Sequence, residues 1–543
     1  MKGSSGRLHG LRFESRRFRL LTVVVGCFLV SLTFLVSSRP DTTVFSALSP
    51  RASSSGRFIR DVVHVEVIQE SNDGERADEE EEAERVTAGS GDEAAPGTQL
   101  GVTTEFASPV AFMENADEDV AVQTTAAVET TSTRPDPPPP VEEKKPLPTK
   151  RQQPPLCDFS DPRTDVCDFA GDIRMAANSS EFVIVDQSGG GDSGETASHK
   201  VRPYPRKGDE TCMVRVTEIT VRATADAASA PRCTRTHAVP AVTFSIGGYT
   251  GNIFHDFSDV IVPLYNTVHR YRGDVQLVMA NVASWWLIKY DKLLHELSKH
   301  APIDLAKAGA AEEVHCFPHA VVSLRAHREL IIERERSLDG LATPDFTRFL
   351  RGALSLPRDA PTRLIDGKGR QRPRLLIISR GRTRLLLNLE AVIRVAEEVG
   401  FEAVVNESDV GNDISQVGGL INSCDALLGV HGAGLTNMMF LPPGATMVQV
   451  VPWGGLQWIA RMDYGEPAEA MGLNYIQYEI AVSESSLKDK YPAGDEIFTN
   501  PTALHKRGFM FMKQTLMDGQ NITIDVGRFR PVLQQALANL AAT

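Results

Sequence analysis

The stretch Cys424-Asp425-Ala426-Leu427-Leu428-Gly429-Val430-His431-Gly432-Ala433-Gly434-Leu435-Thr436-Asn437 constrains this chain more than any other. A short apolar run ends in a glycine-rich turn, and a helix-compatible segment follows at residues 435–441. Strand, tight glycine turn and helix N-terminus make an anion site, because free backbone N–H groups and the positive helix end face an incoming phosphate. Gly432 and Gly434 let the backbone approach closely and take positive φ without a Cβ clash. His431 stands where the strand ends, and open α/β sheets bind ligands at that edge. An ordinary βα turn would account for the glycines alone. It accounts less well for His431, Thr436 and Asn437 on the same turn.

The flanking pattern agrees. Residues 375–379 read as a strand, 388–399 as a helix ending at Gly400, 401–405 as a strand, 414–422 as a helix, 426–430 as the strand before the turn and 446–451 as the next. That alternation predicts a parallel sheet with right-handed crossovers. Earlier, 242–246, 275–282 and 320–324 read as buried strands, with one or more helices at 249–272 and another at 285–300. The segment 157–230 is loop-rich, with an insertion around Gly189-Gly190-Gly191. The expected class is α/β, with two Rossmann-like domains facing a cleft, at residues 157–360 and 361–543. The final helix, 528–540, is expected to pack across domains.

The chain has 543 residues and a formal charge of −13, unevenly spread. Residues 1–19 form a basic tail, with Lys2, Arg7, Arg12, Arg16, Arg17 and Arg19 against Glu14 alone. They precede an apolar segment at 20–38 of the length that spans a bilayer. The positive-inside rule places the tail in the cytosol and the rest across the membrane. A cleaved signal peptide is the competing reading, but Val36-Ser37-Ser38-Arg39-Pro40 is a poor cleavage site. Residues 39–156 read as a disordered stem, rich in Ser, Thr, Glu, Ala and Pro, with an acidic tract at Asp78-Glu79-Glu80-Glu81-Glu82 and a proline run at 137–140. Such composition cannot bury enough surface to offset ordering, so a solvated spacer is expected. No basic, aromatic-rich stripe points to nucleic acid.

Translocation makes the cysteines interpretable. Cys27 lies in the span, and six remain, an even number that favours disulfides in an oxidising lumen. Cys157 with Cys167, and Cys212 with Cys233, each close a short loop; Cys316 and Cys424 either pair or stay as buried thiols. Sequons at Asn178, Asn406 and Asn521 are candidate N-glycosylation sites.

The string Gly429-Val430-His431-Gly432-Ala433-Gly434-Leu435-Thr436-Asn437, with Phe440-Leu441-Pro442-Pro443-Gly444 after it, resembles glycosyltransferase family 61. Gly251-Asn252-Ile253-Phe254-His255-Asp256-Phe257-Ser258-Asp259, Ile378-Ser379-Arg380 with Arg384 and Asn388, and Glu484-Ser485-Ser486-Leu487 support the resemblance. It covers the chain from Cys157 onward. It implies a GT-B fold, a Golgi membrane protein of type II topology, and inverting transfer from a nucleotide sugar. Its plant branch implies decoration of cell-wall xylan with arabinofuranose or xylose from UDP-arabinofuranose or UDP-xylose. Some members act on protein-linked glycans. A non-catalytic Golgi partner in a complex with other glycosyltransferases is the reading from another class.

Inverting transfer needs a base for the acceptor hydroxyl and donors for the departing diphosphate. Arg380 and Arg384, just after a strand, offer guanidinium forks for phosphate oxygens, beside the turn His431, Gly432, Ala433, Gly434, Thr436. Asn388, Gln416 and Asn437 are candidates for uracil, ribose or phosphate, or equally for helix caps. His255 and Asp259 are four apart and share a helix face, as in the family pattern. Either is the candidate base, with Asp256 next in order. Trp453, in a Pro-Trp-Gly-Gly loop, is the acceptor candidate; Trp285 and Trp286 are expected in the core. The one Asp-x-Asp, Asp117-Glu118-Asp119, lies in the stem, so no metal requirement is expected and arginines are expected to neutralise the diphosphate.

Overall fold

The computed structural model describes residues 156–185, 198–362, 372–406 and 413–542. The basic tail, the expected span, the stem before residue 156, the acidic tract, Asp117-Glu118-Asp119 and the Gly189 insertion lie outside them. Among the described residues no helix is long and apolar enough to cross a membrane.

The chain folds as a mixed α/β structure on two sheets. The first is built from β1 (Cys157–Asp158), β2 (Val166–Ala176), β3 (Glu181–Val185), β4 (Ser198–Val201), β5 (Ile219–Thr224), β6 (Arg235–Thr236), β7 (Ala241–Ser245), β8 (Gln276–Ala280), β9 (Ile303–Asp304) and β10 (Val314–Val322). Their order is β4-β5-β3-β2-β10-β7-β8-β9, with β1 paired to β2 and β6 to β10. The half built from β10, β7, β8 and β9 is parallel, as expected of strands joined by helices. The other half is largely antiparallel, because β2 pairs antiparallel with β1, β3 and β10. The region expected to be loop-rich therefore contributes half of a mixed sheet rather than a Rossmann-like unit. Its longest strand, β2, alternates buried with exposed residues and charges, so only β3 (Glu181–Val185) reads as a buried apolar run.

The second sheet is wholly parallel, in the order β12-β11-β13-β14-β15. Its strands are β11 (Arg374–Ile378), β12 (Glu402–Asn406), β13 (Ala426–Val430), β14 (Thr446–Val451) and the edge strand β15 (Asn474–Glu479). The central strands β13 and β14 are buried throughout, which is why they read as continuous apolar runs. The Leu389–Val399 helix ends at Gly400, whose φ of 128° suits only glycine. The C-terminal helix, Val526–Ala542, packs on the Leu389–Val399 helix and on β14 and β15. It covers the second sheet instead of crossing to the first.

One apolar core joins the sheets. Val242, Phe244, Leu277 and Met279 from the first share it with Leu376, Leu427, Met438, Phe440 and Met447 from the second. Phe257 sits at its centre, edge-on to Phe440 at 5.9 Å and to Phe346 at 6.4 Å. The disulfides are Cys157–Cys167 and Cys233–Cys316. The first matches expectation; the second replaces the expected Cys212–Cys233 pair. β6 lies parallel along β10 with Thr236 opposite Cys316, and Cys233, just before β6, bonds to Cys316 across 83 residues of sequence. Cys212 and Cys424 are buried thiols.

Candidate active site

Two groups of residues meet above this core. The first lies on a continuous helical run after the Gly247-Gly248 turn: Ile253–His255, the π-wound segment Asp256–Ile261, and Val262–Val268. The Asn252 side chain caps its start by accepting from the Phe254 N–H. Asp259 is completely buried. Its Oδ2 accepts from the Tyr204 hydroxyl at 2.9 Å and faces His255 Nδ1 at 2.9 Å. Arg206 reaches it through Nε at 3.0 Å and Nη2 at 2.8 Å, and Arg163 stands 3.6 Å away. Burial alone would raise the Asp259 pKa, but Arg206 and His255 outweigh it and hold the carboxyl far below the usual range.

Asp259 is therefore a fixed anion with its oxygens occupied, a poor proton acceptor. A carboxylate only accepts hydrogen bonds, so His255 donates to it from Nδ1, and Arg206 Nη2 stands 3.3 Å from the same nitrogen. The His255 side chain is partly exposed, at 20%. Asp256, the third candidate base, is also completely buried and is consumed by the fold. It accepts from Gly251 N, Trp286 Nε1 and the Tyr290 hydroxyl at 3.0, 3.0 and 2.7 Å. Glu329 extends the cluster, pairing with Arg163 at 2.8 Å and Arg206 at 3.2 Å and accepting from the Ser258 hydroxyl.

The second group stands at the end of β13. Gly432 has φ 146°, and Ala433–Phe440 continues as a 3-10 helix. A Cβ on Gly432 would collide with Arg380 Nη1 and lie 3.3 Å from Arg384 Nη1, so both guanidiniums rest against the glycine. Arg380 is anchored by its Nε on the Thr383 carbonyl, 2.9 Å, and Arg384 by the His431 carbonyl, 3.1 Å, and Asp518, 3.1 Å. His431 is buried between Gln449 and Asp463. Gln449 accepts the Tyr475 hydroxyl through Oε1, so its Nε2 donates to His431 Nδ1 at 2.9 Å. His431 thus presents an Nε2–H. Burial, reinforced by Arg384 and Arg380, pushes its pKa down to about 3, so it stays a neutral donor.

The remaining donor-side candidates divide. Ala433 and Gly434 stay partly exposed on the turn. Gln416 is exposed on the first turn of the Ile414–Asn422 helix. Thr436 and Asn437 are buried beneath the turn, and Asn437 Nδ2 donates to the Gly434 carbonyl at 3.0 Å. Asn388 is turned inward, with Nδ2 on the Ile524 carbonyl at 2.8 Å and Oδ1 taking the Ile524 N–H at 2.9 Å. Trp453 is half-buried and spends its indole N–H on the Ile497 carbonyl at 2.9 Å. Trp286 is buried as expected, but Trp285 is 48% exposed. Asn178 is exposed; Asn406 and Asn521 are half-buried, and Asn521 Oδ1 accepts from the Leu385 N–H.

Arg163, Tyr204, Arg206, Glu329 and Asp463 join the site without having been singled out in the sequence. Asp463 lies on a π-wound segment, Arg461–Gly465, after β14, with its carboxylate 3.9 Å from His431 Nε2. Burial and the nearby Glu329 charge, opposed by Arg206, push its pKa up to about 8. The two groups adjoin through Tyr464, whose ring is 5.6 Å from Phe254 and 5.5 Å from His431. Among the described residues no three His, Cys, Asp or Glu side chains gather as a metal site.

The Glycosyltransferase 61 family model matches residues 251–448, the stretch that holds His255, Asp259, Arg380 and the Gly432 turn. The alpha-1,3-arabinosyltransferase XAT3 of Oryza sativa subsp. japonica is 42% identical over 575 aligned residues, covering 98% of this chain and 98% of the relative. The beta-1,2-xylosyltransferase XYXT1 of the same organism is 39% identical over 70% of this chain and 83% of its own. The xylan glycosyltransferase MUCI21 of Arabidopsis thaliana is 32% identical over 72% of this chain and 81% of its own. With a near-full-length relative at this identity, the chain belongs to glycosyltransferase family 61 and is a glycosyltransferase.

Proposed function

We propose that this glycosyltransferase moves a pentose, arabinofuranose or xylose, from a UDP-sugar onto xylan with inversion, in the Golgi lumen behind a membrane anchor at residues 20–38. The observation that carries the mechanism is the His255–Asp259 pair linked to the His431–Gly432–Arg380 turn by two aromatic rings in contact, Phe254 and Tyr464. A proton acceptor on a helical run of one sheet and a diphosphate cradle on a turn of the other suit an in-line displacement between two sheets, the arrangement of a GT-B-like enzyme. The arabinosyl and xylosyl activities in the relatives' names support a pentose, and one of those names includes xylan. Two disulfides support an oxidising lumen.

His255 Nε2 takes the proton of the acceptor hydroxyl as that oxygen bonds to the anomeric carbon. The bond from that carbon to the β-phosphate oxygen breaks, and the diphosphate leaves with the electron pair. Arg380, the His431 Nε2–H and the turn's backbone N–H groups meet its growing charge. Asp259 holds the His255 tautomer and stabilises the imidazolium that forms.

The test is a secreted lumenal fragment from residue 156, incubated with xylo-oligosaccharide and either UDP-xylose or UDP-arabinofuranose, with and without chelator. A pentose-sized mass gain that survives chelator and disappears in His255→Ala is expected. Folded protein that transfers neither pentose to xylo-oligosaccharide would defeat the reading and point to another glycan acceptor or to a non-catalytic role.

A further inference from the structure

Asp256 takes no part in the chemistry above, yet it is a heavily tied carboxylate. It clamps the Gly251 backbone to Trp286 and Tyr290, both on the Ser284–Leu297 helix, and Lys289 of that helix lies 3.6 Å from it. The clamp fixes the start of the helix against the loop that leads into His255. Trp286 is thereby driven inward, and its neighbour Trp285 is left facing out over Gly251, where the tip of the indole is 3.8 Å from the position a Cβ would take. Gly251 has φ 111° and carries no side chain, so the indole sits directly on the loop. Tyr249, two residues before Gly251, has its ring 4.9 Å from that of His255.

Trp285 is 48% exposed, and Ile288, one turn along the same face, is 72% exposed. A single exposed apolar side chain needs no explanation. Here two follow each other on a braced helix, and the first lies against the loop that leads into the proposed base. The face runs on to Lys292, which donates to the Ser415 hydroxyl at 2.7 Å at the start of the Ile414–Asn422 helix. From Trp285 to Lys292 is about 10 Å along the helix axis. That is room for a short oligosaccharide rather than a single sugar.

We infer that the Trp285–Ile288 face is the acceptor subsite of the reaction proposed above, stacking the apolar C–H face of a neutral pyranose chain whose reacting hydroxyl reaches His255. Trp285 rests on the loop that leads into His255, so a glycan whose hydroxyl reaches His255 can run onto this face. Aromatic and aliphatic side chains give a sugar ring contact area at little entropic cost, and no charge on Trp285 or Ile288 selects an ionic ligand. This inference rests on the transferase reading, and the experiment separates the two.

The KM for xylo-oligosaccharides of two to six residues is measured with the lumenal fragment, alongside the KM for the UDP-sugar. In the wild type, KM falls as the acceptor lengthens. Trp285→Ala raises KM for the longer acceptors about tenfold, the scale of an aromatic anchor's truncation, and flattens the length dependence. It leaves kcat and the donor KM in place, and Trp285→Phe restores most of the affinity. Ile288→Asp, which does not touch the Gly251 loop, weakens long acceptors only. Unchanged acceptor KM in both variants overturns the subsite. So does an equal loss of donor and acceptor affinity in Trp285→Ala, which would make the indole a brace for the His255 loop. Transfer by the wild type to none of these acceptors would instead overturn the function reading on which the subsite depends.

Discussion

Asp259 and His255 are separable by experiment because their burial differs. Asp259→Asn keeps the shape but removes the anion that Arg206 and Arg163 face, leaving two guanidiniums around Glu329 alone. Breaking a buried pair in this way costs about 3–5 kcal/mol, and loss of the orienting partner lowers turnover roughly 10–100-fold. His255→Ala removes the base itself, with a loss of about 10²–10⁴ in kcat and little change in thermal midpoint, since its side chain is partly exposed. Comparing kcat with melting temperature in the two variants checks this; a thermally silent Asp259→Asn would contradict it. Asp463 gives a pH signature. Its pKa rises from 3.8 to about 8 on folding. Between those values the folded state holds a proton that the unfolded state has lost, so this group makes stability fall as pH rises through that window, and the penalty is complete above pH 8. Asp463→Asn removes the slope. Urea midpoints at pH 5 and pH 8 are expected to converge in the variant relative to the wild type.

At the scale of elements, the glycine turn carries the donor-side argument. Gly432→Ala forces a side chain into a backbone conformation that only glycine adopts freely and drives Cβ into Arg380. UDP affinity is expected to drop at least tenfold while acceptor KM stays in place; calorimetric titration with UDP measures it, and wild-type affinity would sink the cradle. This element was legible in the sequence because its signals are local. A fully buried parallel strand reads as an apolar run, and Ala426–Val430, Thr446–Val451 and the Ile414–Asn422 helix occupy the residues expected of them. What was not legible depends on register across long separations. Tyr204 and Arg206 reach Asp259 from 55 and 53 residues away, and Glu329 reaches Ser258 from 71. Nothing near Cys233 in the sequence indicates that β6 will lie along β10. Likewise, alternating amides such as Asn388 and Asn437 look alike as caps, braces or ligands until their partners are fixed.

At the scale of the whole molecule, the shared core decides how the protein comes apart. Two domains with separate cores would melt separately. Here Phe257 of the base-bearing helical run packs on Phe440 of the glycine turn's helix, and one apolar cluster draws on both sheets. The site lies across that cluster, so neither half of it survives loss of the other. Calorimetry of the lumenal fragment is therefore expected to show a single transition, with UDP binding and far-UV circular dichroism lost at the same midpoint. The disulfides sharpen the test. Cys233–Cys316 closes a span of 83 residues and Cys157–Cys167 one of 10. In the chain-entropy account these contribute about 4.5 and about 2.7 kcal/mol. Removing the first as the Cys233→Ser/Cys316→Ser double variant should lower the midpoint more than removing the second as Cys157→Ser/Cys167→Ser. In both, the whole transition should move, including the loss of UDP binding, although neither bridge touches the second sheet. Two transitions, or a bridge variant whose UDP binding outlasts its first sheet, would show that the sheets unfold independently and that the common core does not couple them.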